Sequence, residues 1–153
     1  MFERLHHVGI LTDDLDAAVA MYEQTFGACF TRRERLHSQG VDVALASLPG
    51  GGEVELLRPF DPESGVARYL SRHGPGMHHV AFGVPDLPAA MAECAAKGIQ
   101  LIDEEPRIGV AGMRVAFLHP RSTGRVLIEL VETSPERHPD HGAEGAAVSA
   151  DRA

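Results

Sequence analysis

An internal repeat organises most of this chain. When residues 77–92 are aligned with residues 5–20, at a constant offset of 72 positions, eight of the 16 aligned pairs are identical. A sequence of this composition gives about one or two identities by chance over such a length. The identical pairs are His6/His78, His7/His79, Val8/Val80, Asp14/Asp86, Leu15/Leu87, Ala17/Ala89, Ala18/Ala90 and Ala20/Ala92. We infer that one structural module occurs twice.

Each copy has the pattern of a strand, a helix and three further strands. An aspartate stands at the expected N-cap of each helix, Asp13 or Asp14 in the first copy and Asp86 in the second. The first helix has apolar residues at helical spacing: Leu15, Val19, Tyr22 and Phe26. The later strands are expected at residues 28–36, 41–48 and 53–58, and at 99–103, 113–119 and 126–132. The sequence therefore predicts two βαβββ modules.

These modules are expected to form a single α+β domain over residues 4–133. The first would occupy about residues 4–60 and the second about 76–133, with a linker at 61–75 that contains a short helix near residues 64–72. Together they would build one curved mixed sheet around a site on its concave face. Residues 134–153 change to a Pro-, Ala- and Gly-rich composition and are expected to be disordered.

Composition narrows the class of protein. The chain has 153 residues and a net charge of −8, which disfavours nucleic acid as a partner because phosphate binding needs a basic surface. The absence of a long apolar run and of a leader pattern predicts a soluble cytoplasmic protein with no membrane partner. Cys29 and Cys94 do not form a CxxC pair, which disfavours a disulfide framework or a thiolate metal site. A metal would need nitrogen and oxygen ligands.

The paired histidines of the two copies include candidate metal ligands. Neighbouring side chains in a strand point to opposite faces. His7 shares its face with Gly9, whereas His6 shares its face with bulky apolar residues that should pack under a helix. The second copy repeats this division between His78 and His79. The sequence therefore predicts that His7 and His79 lie on the roomier face, where a ligand can bind.

Two glutamates occupy corresponding positions in later strands. Glu55 and Glu129 are each flanked by apolar residues, and they follow His7 and His79 by 48 and 50 residues. Strand alternation should turn both carboxylates towards the face of these histidines. Two imidazoles and two carboxylates suit a divalent ion such as Co, Mn, Ni, Zn or Mg. Such an ion would stabilise negative charge on a carbonyl oxygen during deprotonation of the adjacent carbon, and either glutamate could move the proton.

Five segments carry a resemblance to a known family. They are Leu5-His6-His7-Val8-Gly9-Ile10, Val54-Glu55-Leu56-Leu57-Arg58-Pro59, Gly76-Met77-His78-His79-Val80-Ala81-Phe82, Leu101-Ile102-Asp103-Glu104-Glu105-Pro106-Arg107-Ile108-Gly109, and Phe117 to Gly124 followed by Val126-Leu127-Ile128-Glu129-Leu130. Over about residues 4–132 the chain resembles the methylmalonyl-CoA epimerase family of the vicinal oxygen chelate superfamily, whose fold is glyoxalase-like.

The resemblance implies a function and a set of site residues. It implies an isomerase that interconverts R and S methylmalonyl-CoA by C2 proton abstraction and reprotonation through a metal-stabilised enolate. The metal ligands would be His7, Glu55, His79 and Glu129, and the catalytic residues Glu129 and Glu55. Co²⁺ is the first choice of metal, with Mn²⁺, Ni²⁺, Zn²⁺ or Mg²⁺ as alternatives. The partners would be an acyl-CoA substrate and a second copy of the chain in a homodimer.

The chain departs from part of the family at one position. Some members have a glutamate, proposed as a base, just after a Gln-Gly-Val motif; here residues 39–41 are that motif and Val43 stands where the glutamate aligns. Asp42 is one residue out of place and is expected to face away. The assignment of acid and base between Glu55 and Glu129 therefore stays open.

Two other functions and several further residues remain as alternatives. The chain could be a glyoxalase I-like lyase that acts on a glutathione hemithioacetal, or a metal-free protein of this fold that binds a small molecule. The loop 107–112 and the turn Ser122-Thr123-Gly124 are candidates for substrate contact. The arginines of residues 32–35 could hold an anion or form a solvated strand face. His138 and His141 could bind metal only adventitiously.

Overall fold

The computed structural model of the protein describes residues 1–49 and 51–133. The first module consists of β1 (Arg4–Leu11), α1 (Leu15–Phe26), β2 (Cys29–Leu36), β3 (Val41–Ser47) and β4 (Glu53–Pro59). The linker contains α2 (Gly65–His73). The second module consists of β5 (Gly76–Val84), α3 (Leu87–Ala96), β6 (Arg107–Ile108), β7 (Arg114–Leu118) and β8 (Ile128–Glu132), with 3₁₀ turns at Val110–Gly112 and Pro120–Ser122.

The strands form one mixed sheet in the order β2-β3-β4-β1-β5-β8-β7-β6. The first strand of each module lies parallel to the last strand of the same module, β1 with β4 and β5 with β8. The two modules meet through the antiparallel pair β1 and β5. The predicted α+β architecture of two βαβββ modules in one sheet is confirmed.

Both module helices begin at the predicted kind of cap. The Asp14 carboxylate accepts a hydrogen bond from the backbone N–H of Ala17 at 3.0 Å, and the Asp86 carboxylate accepts one from Ala89 at 2.9 Å. Asp14, not Asp13, is therefore the first N-cap. Gly27 closes α1 with a φ of 67°, a left-handed conformation that glycine adopts without strain.

The two helices cover the same face of the sheet. Leu15 and Val19 of α1 pack on Leu56 of β4, and the buried residues of α3 pack on Ala116 and Leu130. The other face of the first module holds a separate apolar cluster of Leu11, Val41, Val43, Leu45, Leu57 and Val110. The helices thus leave the opposite face of the central strands free for the candidate site.

The predicted strand at residues 99–103 is wrong. Leu101 forms only an isolated bridge to Leu118, and the outer strand β6 lies further along, at Arg107–Ile108. The Asp103 carboxylate accepts the backbone N–H of Phe117 at 2.8 Å, so a side chain occupies a donor that a continuing strand would have paired.

The linker helix is confirmed, with Ser64 as its N-cap. None of the helices described in residues 1–49 and 51–133 is long and apolar enough to cross a membrane. The predicted disordered tail at 134–153, with His138 and His141, lies outside the described residues.

Candidate metal centre

The register of β1 and β5 makes the centre of the sheet nearly symmetric. Val8 lies opposite Val80, its own counterpart in the repeat. One residue to either side, His79 lies opposite Gly9 and His7 lies opposite Ala81. The two modules are therefore related by an approximate twofold axis between the valines, and each histidine faces a small residue of the other module.

The outer strands extend this register into two rows across the sheet. Gly9 pairs with Glu55 of β4, so Glu55 and His79 stand on either side of the glycine. Ala81 pairs with Glu129 of β8, so His7 and Glu129 stand on either side of the alanine. Each row combines a histidine from one module with a glutamate from the other.

Gly9 gives the His79 ring the space it needs. A Cβ atom at position 9 would lie 2.1 Å from Cε1 of His79, far inside van der Waals contact. The sequence alone predicts only that the face at position 9 is roomy. The structure shows that this room is filled by the imidazole of the facing strand.

The four polar side chains converge in a buried cluster. The residues are 5% exposed for His7, Glu55 and Glu129 and 2% for His79. His7 Nε2 lies 3.0 Å from Glu129 Oε2 and 3.7 Å from Glu55 Oε2. His79 Nε2 lies 3.4 Å from Oε2 of each glutamate and 2.9 Å from His7 Nε2. The structure thus brings together all four residues that the sequence singled out.

This arrangement fits a divalent metal ion. Donor atoms bound at about 2.1 Å to one ion lie about 3.0 to 3.4 Å from their neighbours in octahedral or tetrahedral geometry. The donor atoms of His7, His79 and Glu129 all lie within 4.8 Å of one another. Glu129 Oε2 is buried and has no hydrogen-bond partner within the described part of the chain, even though an imidazole nitrogen is near. A cation would satisfy this oxygen.

The two carboxyl groups differ in their electrostatics. Burial raises the pKa of Glu55 above its ordinary value, because its ionised form loses hydration. Burial also acts to raise the pKa of Glu129, but the His7 and His79 imidazoles outweigh it and lower this pKa to about 2. For His7, burial acts to lower the pKa, and Glu129 and Glu55 more than reverse that effect. Without a metal, a proton is therefore held more readily by Glu55 and His7 than by Glu129.

His6 and His78 each lie against the next histidine of their own pair, which strict strand alternation would place on the opposite face. Each is skipped in the ladder between β1 and β5, at a register shift typical of a β-bulge. The Nδ1 atom of His6 lies 3.0 Å from Nδ1 of His7, and His78 Nδ1 lies 3.0 Å from His79 Nδ1. Burial and the neighbouring imidazole lower the pKa of both His6 and His78 to about 4. Strict strand alternation missed these contacts, although the repeat preserved both histidines of each pair.

Val43 and Asp42 are not part of this polar cluster. Val43 is buried among Leu11, Leu57 and other apolar side chains. Asp42 faces away, as predicted, and binds the guanidinium groups of Arg35 and Arg58 at 2.6 and 2.7 Å. The hydrogen bond from Arg35 lowers the pKa of Asp42, with further help from Arg58, to about 2. The first module therefore offers no carboxylate at position 43.

Of the two segments that were candidates for substrate contact, the loop 107–112 begins near the polar cluster, whereas the turn at residues 122–124 makes a local hydrogen bond. Arg107 bonds to Asp103 and lies over the ring of Phe117, which meets the His79 ring edge-on at a centroid distance of 5.7 Å. The loop 107–112 therefore begins beside the cluster. By contrast, the Thr123 hydroxyl donates to the backbone oxygen of Val126 at 2.6 Å, within its own turn.

The arginines of β2 behave as a solvated strand face. Arg32, Arg33 and Arg35 are paired with Glu34, Asp16 and Asp42, respectively. Their charges are offset by these carboxylates, which favours the surface interpretation over an anion site.

The fold and this set of polar residues define the class of protein. Residues 6–117 match the model of the Glyoxalase/Bleomycin resistance protein/Dioxygenase superfamily, and the chain belongs to that superfamily.

The chain is similar to several methylmalonyl-CoA epimerases. The mitochondrial enzyme of Homo sapiens is 38% identical over 128 residues, which are 83% of this chain and 72% of the human protein. The ethylmalonyl-CoA/methylmalonyl-CoA epimerase of Cereibacter sphaeroides is 36% identical and covers 85% of this chain and 98% of its own length. A Streptomyces coelicolor methylmalonyl-CoA epimerase variant solved in complex with 2-nitronate-propionyl-CoA superposes with a TM-score of 0.82, at 38% identity and over 87% and 99% of the two chains.

Proposed function

We propose that this chain is an isomerase that interconverts R and S methylmalonyl-CoA by moving a proton at C2. The main support is that two buried rows, His79 with Glu55 and His7 with Glu129, converge where β1 of the first module pairs with β5 of the second. The epimerases named above support the substrate class, because they resemble the chain over most of its length. They favour this function over a glyoxalase I-like lyase and over a metal-free binding protein.

The proposed metal ligands are His7, Glu55, His79 and Glu129. Their nitrogen and oxygen atoms suit a hard or borderline divalent ion, with Co²⁺ as our first choice and Mn²⁺, Ni²⁺, Zn²⁺ or Mg²⁺ as alternatives. When bound, such an ion supplies electrophilic stabilisation of the negative charge that develops on the thioester oxygen.

Glu55 and Glu129 are the proposed proton-transfer groups. Inversion at C2 requires a proton to leave one face of the carbon and another to reach the opposite face, which two separate carboxyl groups can do. The raised pKa of Glu55 and the lowered pKa of Glu129 favour one protonated and one ionised carboxyl in the metal-free protein. Burial of both groups limits exchange of the proton with bulk water.

We also propose the setting in which this activity operates. The substrate is an acyl-CoA, and neither nucleic acid nor a membrane is a partner. The functional assembly is a homodimer, and its compartment is the cytoplasm.

The test is hydrogen exchange with epimerisation. Metal-loaded protein is incubated with one methylmalonyl-CoA epimer in deuterated water, and C2 label and epimer ratio are followed by NMR. We expect deuterium at C2 and formation of the other epimer. Parallel reactions with ethylmalonyl-CoA and with a glutathione hemithioacetal define the acyl selectivity and test the lyase alternative. Turnover of the hemithioacetal, with neither label nor inversion in the CoA ester, would overturn the proposal.

A further inference from the structure

We propose that His6 and His78 are positioning residues that hold His7 and His79 in the tautomer whose Nε2 is free to bind the metal. This inference rests on the metal-ligand assignment above and goes beyond it, because neither His6 nor His78 is itself a ligand. It concerns how the chain fixes the orientation and the proton of each ligating ring.

The ring geometry is the same in both modules. In each pair, the second histidine turns Nε2 towards the glutamates and Nδ1 towards the histidine that precedes it. The Nδ1 to Nδ1 distance is 3.0 Å in both pairs, which is the length of an N–H···N hydrogen bond. The two rings meet at 80° in the first pair and 82° in the second.

The chemistry of imidazole then fixes the position of the protons. A neutral imidazole carries one proton, and a nitrogen that binds a metal must be free of it. With Nε2 of His7 and His79 turned to the metal, their protons reside on Nδ1. Each Nδ1–H therefore donates to the Nδ1 lone pair of His6 or His78, whose own proton is on Nε2. A ligating histidine is commonly oriented by such an acceptor, usually a carboxylate, a carbonyl or a water.

The backbone supplies a reason for this contact. In a regular strand, adjacent side chains point to opposite faces and their rings do not meet. The register shifts at His6 and His78 break this alternation at equivalent places in the two modules. The surroundings differ, since His6 Nδ1 lies 3.7 Å from Glu53 Oε2 whereas His78 meets the ring of Tyr69. The feature that both bulges share is the contact with the next histidine.

Paired substitutions separate this positioning role from simple packing. His6→Leu removes the acceptor, whereas His6→Asn places an amide oxygen near the position of Nδ1; His78→Leu and His78→Asn repeat the comparison. The control is His37→Leu, which changes an exposed imidazole that contacts Phe60. Metal affinity is measured by competition for Co²⁺ with a chelating dye. We expect about 10- to 100-fold weaker binding in the leucine variants, recovery of most of that loss in the asparagine variants, and no change in the control.

A measurement on the unmodified protein covers the case in which a leucine variant does not fold. Nitrogen-15 NMR of the Zn²⁺-loaded protein should show protonated Nδ1 on His7 and His79, with scalar coupling across the hydrogen bond to unprotonated Nδ1 of His6 and His78. A protonated Nδ1 on His6 and His78 would overturn the proposal, as would leucine and asparagine variants that bind Co²⁺ equally. Protein that binds metal as expected but does not epimerise the CoA ester would refute the proposed function while leaving this inference intact.

Discussion

At the scale of single residues, the candidate site depends on two small side chains as much as on the polar ones. Gly9 and Ala81 separate each histidine from the glutamate of its row. A larger residue at either position would occupy the space into which the imidazole and the carboxylate extend. The small residues thus allow the two modules to bring each histidine within 3.0 to 3.7 Å of both glutamates.

Gly9→Ala should therefore damage the site. The new Cβ would overlap the His79 ring, and we expect a loss of about 1 to 3 kcal/mol in the free energy of unfolding, together with weaker metal binding. Gly65→Ala is the matched control, because a Cβ there meets nothing within 4 Å and alanine favours the first turn of α2. Denaturant unfolding of both variants checks this; equal stability of the two would show that position 9 has room to spare.

Changing either glutamate singly should slow epimerisation. Glu55→Gln and Glu129→Gln each remove one proton-transfer group, and we expect kcat to fall by about 10²- to 10⁴-fold. A variant that retains one functional group can still exchange the C2 hydrogen of one epimer without inverting it. Separate NMR measurement of exchange and inversion, with metal content checked in each variant, tests the assignment. Full activity in either variant would remove that residue from the proposed pair.

At the scale of secondary-structure elements, the regular parts of the fold could be predicted from sequence and the irregular parts could not. The helices α1, α2 and α3 follow from caps and apolar spacing that are local in the chain. The bulges at His6 and His78 could not be predicted, because strand alternation assumes an unbroken ladder. The outer strand of the second module lies at Arg107–Ile108 and not at residues 99–103. The sequence could not show this, because the pairing near residue 103 is replaced by the tertiary hydrogen bond between Asp103 and Phe117.

The site itself was predictable to the extent that it repeats. His7 with His79 and Glu55 with Glu129 stand out because each appears in both copies with similar spacing. Their mutual distances could not be predicted, because they depend on the register of β1 with β5, which pairs residues of different modules. The place of Arg107 beside Phe117 depended on tertiary packing and had no local signal.

Asp42 links strands β2, β3 and β4 through Arg35 and Arg58. Its carboxyl group should make the stability of the fold depend on pH. Its folded pKa of about 2 lies below the ordinary aspartate value of 3.8, so the unfolded chain takes up the proton first on acidification. Its contribution to stability is therefore fully present above about pH 4 and is lost as the pH falls through about 2. Because both arginines are partly exposed, we expect Asp42→Asn to cost only about 1 kcal/mol at neutral pH, and less at pH 2.

Acid unfolding of Asp42→Asn beside the unmodified protein checks this pH dependence.

The same variant tests whether Asp42 replaces the glutamate that position 43 lacks. Since its carboxylate binds Arg35 and Arg58 away from the polar cluster, we expect unchanged epimerase activity. A large fall in kcat with folding preserved would contradict that placement.

At the scale of the whole molecule, the two modules are joined by both apolar and polar contacts. Val110 of the second module packs into the apolar cluster of the first, and the backbone N–H of Ala111 donates to Glu34 of β2 at 3.1 Å. The proposed metal would add ligands from both modules to this connection. Metal binding should therefore stabilise the domain as a unit.

Metal removal should lower the stability of the whole domain. An ion present at 100 times its dissociation constant adds about 2.7 kcal/mol to the free energy of unfolding, provided it binds only the folded state. We expect a single thermal transition that moves to lower temperature after chelation and returns when Co²⁺ is added. His7→Ala should show little response to either treatment. Two separate transitions, or stabilisation of His7→Ala equal to that of the unmodified chain, would contradict a shared centre.

The most direct measurement is a stoichiometric titration of metal-stripped protein with Co²⁺, in which visible absorption and methylmalonyl-CoA epimerisation are followed together. If one ion joins the His and Glu rows of the two modules and is required for the reaction, both signals rise together and level off at about one ion per chain. Full epimerase activity in the stripped protein, or activity that levels off without any spectroscopic sign of bound Co²⁺, would contradict the claim that one shared ion is required.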